Sequence, residues 1–205
     1  MKTGSAHAAD DAVSDLQEYR PLFPFVTVKS VGRPLYRSKD ARDYACLLDL
    51  DPVVVAWQSM MLPLPDIGEG NDHYYVDFEV RTLTELLYVE VGRKRDGVPP
   101  WFPRALTALG YRYQFVNIQD LDPIRLANAR DLVRYARYDA ALGDRIRVLA
   151  ALDEMGSLTL AECLSAVREG RPMDTIASMI LQRHLEVDID ENLLGPGTVV
   201  RLGSK

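Results

Sequence analysis

The sequence predicts an α/β protein: a mixed sheet flanked by helices, with a small helical module after it. Three observations carry that class. Runs such as Val53-Val54-Val55-Ala56-Trp57 and Leu86-Leu87-Tyr88-Val89-Glu90-Val91 are rich in β-branched and aromatic residues and have strand character. They alternate with stretches of helical apolar spacing that open on a capping residue or a proline. From Asp144 onward the helical pattern recurs in three short pieces before two closing strands.

Each element follows from its own residues. Residues 1–27 read as an N-terminal arm, polar from Met1 to Asp15 and proline-interrupted at Arg20-Pro21-Leu22-Phe23-Pro24-Phe25, which suits an extended arm or edge. Ser38 caps a helix reaching about Asp49, with Tyr44, Leu47 and Leu48 on one face, and Asp51-Pro52 ends it. Val53 to Trp57 is a buried strand that Met60 to Pro65 extends, and Asp66 to Asp72 is a Gly-rich turn. His73 to Val80 and Leu86 to Val91 are the next strands. Pro99 starts a helix that Gly110 stops, and Tyr111 to Val116 alternates with the period of a strand. Asp122-Pro123 opens a helix expected to reach about Tyr138.

A change of character at Asp139 to Gly143 sets a domain boundary there, dividing residues 28–140 from 141–205. Helices are expected at Asp144 to Met155, after Ser157 to near Gly170, and at Asp174 to near His184. Strands Leu185 to Ile189 and Thr198 to Leu202 then form a hairpin around Gly195-Pro196-Gly197. Three helices and a hairpin make a winged helix. Its expected core is Ile146, Leu149, Leu152, Leu160, Ile176, Ile180, Val187 and Val199.

Composition excludes several classes. With 47% hydrophobic and 26% charged residues the 205-residue chain is that of an ordinary globular protein. It contains no apolar run long enough for a membrane span and no secretory signal, so a cytoplasmic location is expected. Cys46 and Cys163 lie among apolar neighbours and read as reduced core thiols. His7, His73 and His184 have no zinc-ligand spacing. The net charge of −6 argues against a nucleic-acid coat protein, but the charge is uneven. Basic residues gather at Lys29, Arg33, Arg37, Lys39 and Arg42, and again at Arg125, Arg130, Arg134, Arg137, Arg145 and Arg147. The closing hairpin carries Glu186, Asp188, Asp190 and Glu191.

Asp77 on one strand and Glu90 on the next, 13 positions on, is the layout of a PD-(D/E)xK metal-dependent nuclease. Two carboxylates can hold Mg²⁺, but activating a water also takes a base or a positioning cation. The chain further resembles the TnsA-like endonuclease subunits of heteromeric transposases over residues 28–202. The matching stretches, in order, are Ser38-Lys39-Asp40-Ala41-Arg42-Asp43 with Leu47 to Pro52, Tyr75-Val76-Asp77-Phe78, Val89-Glu90-Val91, Asn128-Ala129-Arg130-Asp131-Leu132, and the Leu185-Glu186-Val187-Asp188 hairpin. The resemblance implies a restriction-endonuclease-like fold, Mg²⁺-dependent DNA cleavage at a transposon end, and a winged helix that meets an ATPase regulator. The departures matter as much. Ala41 stands where the family has a metal-binding Glu, Val76 where it has proline, and Gly92 where it has the catalytic lysine.

Asp77 and Glu90 are therefore the candidate metal ligands and, with Lys94, the candidate catalytic set. Lys94 would share the Glu90 face by strand alternation and reach back about 6.6 Å. Double-stranded DNA is the expected partner, through phosphate contacts from Arg37, Lys39 and a stripe of Arg130, Arg134 and Arg137 at i, i+4 and i+7. The acidic hairpin would repel DNA, so the C-terminal module is expected to bind a protein, such as an ATPase regulator or a transposase subunit. Three readings stand: a DNA-binding protein impaired as a nuclease, an active Mg²⁺ endonuclease, and a regulatory adaptor without a DNA role.

Overall fold

The computed structural model describes residues 26–60, 64–65, 73–95 and 97–203. The proline-interrupted arm before residue 26 and the Gly-rich turn at 66–72 lie outside the described residues. The chain is a mixed α/β fold with six α-helices and a four-stranded mixed sheet among the described residues.

Helix α1 (Lys39–Leu50) starts where expected, because Ser38 Oγ accepts the Ala41 N–H at 2.9 Å. Its far end is held by residues before and after it in the chain. Lys29 Nζ donates to Leu48 O and Asp51 O, while buried Asp49 accepts from the Trp57 indole at 2.8 Å and from the Val28 and Lys29 amides.

The main sheet comprises β1 (Val54–Ser59), β4 (Phe78–Thr82), β5 (Leu86–Gly92) and β6 (Arg112–Asn117), in that order across the sheet. The first three are antiparallel, and β6 lies parallel to β5 after the crossover helix α2 (Trp101–Ala108). A parallel neighbour needs such a crossover. Helix α1 buries Ala41, Ala45 and Leu48 with Trp57, Phe78, Val80, Val89 and Val91 of the sheet. Helix α2 contributes Phe102 and Leu106 to a cluster with Val76 and Tyr88. Burying aromatic side chains such as Trp57 and Phe78 contributes roughly 1.5–3 kcal/mol each.

The strand expected over residues 73–80 is broken. Short β3 (His73–Tyr74) pairs with β2 (Leu64–Pro65), and β4 begins only at Phe78. Asp77 interrupts it: its N–H bonds Val89 O at 2.9 Å while its own side chain accepts from Val91 N.

Helix α3 (Pro123–Val133) opens on the expected cap, with Asp122 Oδ1 accepting from the Ile124 and Arg125 amides. It ends at Val133, five residues short of Tyr138. From there the amides of Tyr135, Ala136 and Tyr138 bond only three residues back. The turn delivers Tyr138 to the C-terminal module, where its carbonyl accepts from Ser178 Oγ and its phenol oxygen from the Arg171 amide.

The C-terminal part runs α4 (Leu142–Met155), β7 (Leu158–Thr159), α5 (Leu160–Ala166), α6 (Pro172–Leu181), β8 (Leu185–Val187) and β9 (Val199–Leu202). The three strands form one sheet in the order β7-β9-β8. Two expected core positions are displaced. Ile146 is 57% exposed, because the inward stripe of α4 is Asp144, Val148 and Leu152. Asp144 leads it inward because its carboxylate accepts from the Arg168, Glu169 and Gly170 amides and from Arg147. Burial opposes its charge, yet those bonds outweigh burial and hold the carboxyl well below its usual range. Val199 is 43% exposed and Val200 fully buried, a one-residue offset that reverses strand faces.

One buried cluster joins Cys46 and Leu47 of α1 and Ala129, Leu132 and Val133 of α3 to Val148, Leu152, Ile176, Met179 and Val200. It crosses residue 140 without a break. Cys46 and Cys163 are buried and unpaired, and no helix among the described residues is long and apolar enough to cross a membrane.

Candidate functional site

The register of β4 and β5 pairs Phe78 with Val89, and Asp77, just before β4, bonds Val89 O and the Val91 N–H on either side of Glu90. Asp77 is only 6% exposed, and its Oδ2 accepts the Val91 N–H at 2.7 Å. Burial pushes its carboxyl up to about 6; the Val91 bond and the Arg37 charge oppose the rise, and the Glu90 charge adds to it. A carboxyl poised near neutrality by burial beside a second one marks a candidate functional site.

Glu90 is bound by two phenols. Its Oε2 accepts from Tyr74 Oη at 2.6 Å and from Tyr113 Oη at 2.5 Å. Tyr74 comes from β3 and Tyr113 from β6. The Phe102 ring of α2 packs on both, at centroid distances of 4.7 and 5.4 Å. Both phenols titrate above their ordinary range, first through burial and then through the bond to Glu90, since losing the proton would set a phenolate against a carboxylate.

Cations surround this pair. Exposed Arg37 lies 5.1 Å over the Tyr75 ring, and its charge reaches both Asp77 and Tyr74. Arg95 lies 5.7 Å over the Tyr113 ring. Arg93 Nε bonds Asp40 Oδ2 at 3.0 Å, joining the basic segment that holds Arg37 and Lys39 to the run Arg93-Lys94-Arg95 across 53 positions of sequence. Sequence reasoning missed Tyr74, Tyr113, Arg93 and Arg95. Tyr113 had a signal: it pairs in register with Tyr88, two residues before Glu90, and so shares the Glu90 face.

Lys94 and the arginine stripe are placed differently from expectation. Strand β5 ends at Gly92, and Lys94 is exposed in the bend that follows, where Arg93 turns to Asp40. The alternation that was to carry Lys94 back to the Glu90 face stops two residues short. Of the stripe, Arg130 in α3 pairs with Asp43 at 3.3 Å and Arg134 with Asp131 at 3.2 Å. Arg137 is exposed beyond the helix end. Because α3 stops at Val133, the three do not share a helix face.

Mg²⁺, implied by the nuclease resemblance, asks for a near-octahedral oxygen shell. One Asp77 oxygen is taken by the Val91 amide, and one Glu90 oxygen by two phenols. Among the described residues no three His, Cys, Asp or Glu side chains converge. Ala41 is fully buried, its methyl packed in the core beneath the sheet. At Gly92 an added Cβ would meet the Phe115 ring at 3.4 Å. This donor set does not fit a catalytic Mg²⁺ site.

In the C-terminal part, every residue of α6 from Thr175 to Leu181 is buried. The loop between β8 and β9 is fastened to α3: the Asn128 amide donates to Ile189 O and Asn192 O and accepts from Leu194 N, all within 2.9 Å. Arg125 pairs with Asp190 there at 3.1 Å. A groove of about 530 Å³ beside edge strand β8 is lined by Leu50, Ile180, Arg183, Glu186, Asp188 and Arg201 among others. In comparisons with known proteins, no family model and no curated protein matches this chain.

Proposed function

We propose that this chain is a TnsA-like DNA-binding protein on a nuclease-type scaffold that does not cut DNA. The observation that carries the reading is the Asp77–Glu90 pair: a carboxylate just before β4 and one on its antiparallel neighbour β5, with Glu90 capped by Tyr74 and Tyr113 and glycine at the place of the lysine. The element order α1, β1, β4, β5, α2, β6, with the last two strands parallel, supports a restriction-endonuclease-like scaffold. Arg37, Lys39, Lys94 and Arg95, beside an Arg93 already paired with Asp40, supply a positive rim suited to phosphates, which would bind DNA with little regard to sequence.

The order of α4, β7, α5, α6, β8 and β9 supports a winged helix. Its third helix spends seven residues on the core, so it is a scaffold here rather than a groove reader. That favours a protein partner for this part, and the groove along β8 is the surface we assign to it.

Duplex binding by the full chain across a salt series tests the proposal. Affinity should fall linearly with salt on a double-logarithmic scale, because phosphate contacts release counterions. It should fall further when Arg37 and Arg95 are both changed to Ala. Salt-insensitive binding, or none at low salt, would remove the DNA role and leave the adaptor reading.

A further inference from the structure

Phenol hydroxyls from two strands, β3 and β6, meet on one oxygen of Glu90. We propose that Tyr74 and Tyr113 hold this carboxylate where a nuclease would ligate a divalent cation, so that, with Arg37 and Arg95 supplying the positive charge, the face accepts DNA phosphate without metal. The inference rests on the DNA-binding reading above. In a metal nuclease the cation neutralises acidic ligands that would otherwise repel the phosphate. Here two O–H groups at 2.6 and 2.5 Å are short, charge-assisted donors to the same anionic oxygen.

The donors are held ready. Phe102 packs both tyrosine rings, and Arg95 stacks over the Tyr113 ring at 5.7 Å. Arg37 stacks over Tyr75, with its charge felt at Asp77. Half-buried Glu90 thus shares its oxygen with two half-buried phenols, while the exposed guanidinium groups of Arg37 and Arg95 lie over neighbouring tyrosine rings. A phosphate meets the guanidinium groups first. The second carboxylate, Asp77, is withdrawn in the same way: it is 6% exposed and bonded to the Val91 amide.

The experiment is fluorescence anisotropy of the full chain with a short labelled duplex at one ionic strength, in EDTA and in Mg²⁺. The wild type should bind equally in both, within about twofold, and Tyr74→Phe with Tyr113→Phe should weaken binding in EDTA by about tenfold, with Mg²⁺ recovering part of the loss. Loss of wild-type binding in EDTA, or a double variant that binds like the parent, overturns the inference. Circular dichroism checks folding; if the double variant is unfolded, Tyr113→Phe alone should weaken binding by about threefold. If no buffer supports duplex binding, the DNA reading itself fails. The claim about phosphate falls with it, and Mn²⁺ titration followed by electron paramagnetic resonance tests the remaining claim, that the phenols leave no cation site at Glu90. No uptake by the wild type at millimolar Mn²⁺ upholds it, and uptake that Glu90→Gln removes overturns it.

Discussion

Replacing Asp77 with Asn should shift stability in the variant's favour as the pH rises from 4 to 7.5. In the folded chain burial lifts the Asp77 carboxyl from its ordinary 3.8 to about 6. The sign follows from that direction. A carboxyl raised on folding favours the native state fully below the unfolded value, and that contribution is lost as pH rises through the folded value. From pH 4 to pH 7.5 the wild type therefore loses a contribution that the Asn variant never had. The interval from 3.8 to about 6, at about 1.4 kcal/mol per pH unit, comes to about 3 kcal/mol. The Asn side-chain oxygen can still accept the Val91 N–H, while its amide hydrogens need partners of their own. The absolute effect at one pH thus mixes two terms, and the change with pH isolates the carboxyl. Urea unfolding of both proteins at pH 4 and pH 7.5 measures it. Because pH 4 already lies just above the unfolded value, the gap in unfolding free energy should move toward the variant by about 2 kcal/mol of that total, or about 6 °C in Tm for a chain of this size. Parallel pH profiles would refute the claim that Asp77 is ionised at a cost.

Asn128→Ala should cost roughly 2–4 kcal/mol, since it removes three hydrogen bonds at a buried site; hydrogen exchange should rise mainly over residues 188–198. Val148→Ala should destabilise by about 1–3 kcal/mol, and Ile146→Ala by less than about 0.5, because only Val148 is buried; urea titration compares them. Ala substitution of Arg37 and Arg95 should weaken duplex binding more than substitution of Arg130, Arg134 and Arg137 together. Two of the latter are already paired with Asp43 and Asp131, so anisotropy on both variants separates the surfaces.

Much of the fold was legible because its signals are local. Ser38 and Asp122-Pro123 announce their helices through side chains that bond amides two or three residues on. The mixed sheet follows from strand runs separated by one crossover helix. Positions set by distant contacts were not legible. Val200 rather than Val199 faces inward because β9 pairs with β7 and β8 on its two sides, a register the alternation of one strand leaves open. Helix α3 stops early because Tyr138 is needed against α6.

The same holds at the site. Asp77 and Glu90 stand out because they fall in consecutive strand-like runs of the sequence. Tyr74 and Tyr113 reach Glu90 from 16 and 23 positions away, and Arg93 reaches Asp40 across 53. Placing Lys94 on the Glu90 face needs β5 to continue past Gly92, where the chain instead bends toward α1.

The central claim is that the Asp77–Glu90 pair sits in a nuclease-type scaffold without cutting. The most direct measurement is nicking of supercoiled plasmid by the purified full chain in Mg²⁺ and in Mn²⁺, with Glu90→Gln beside it. The account predicts no nicking above that of the Glu90→Gln variant in either metal. Nicking that depends on the metal and disappears with Glu90→Gln would contradict it and make the protein an active endonuclease.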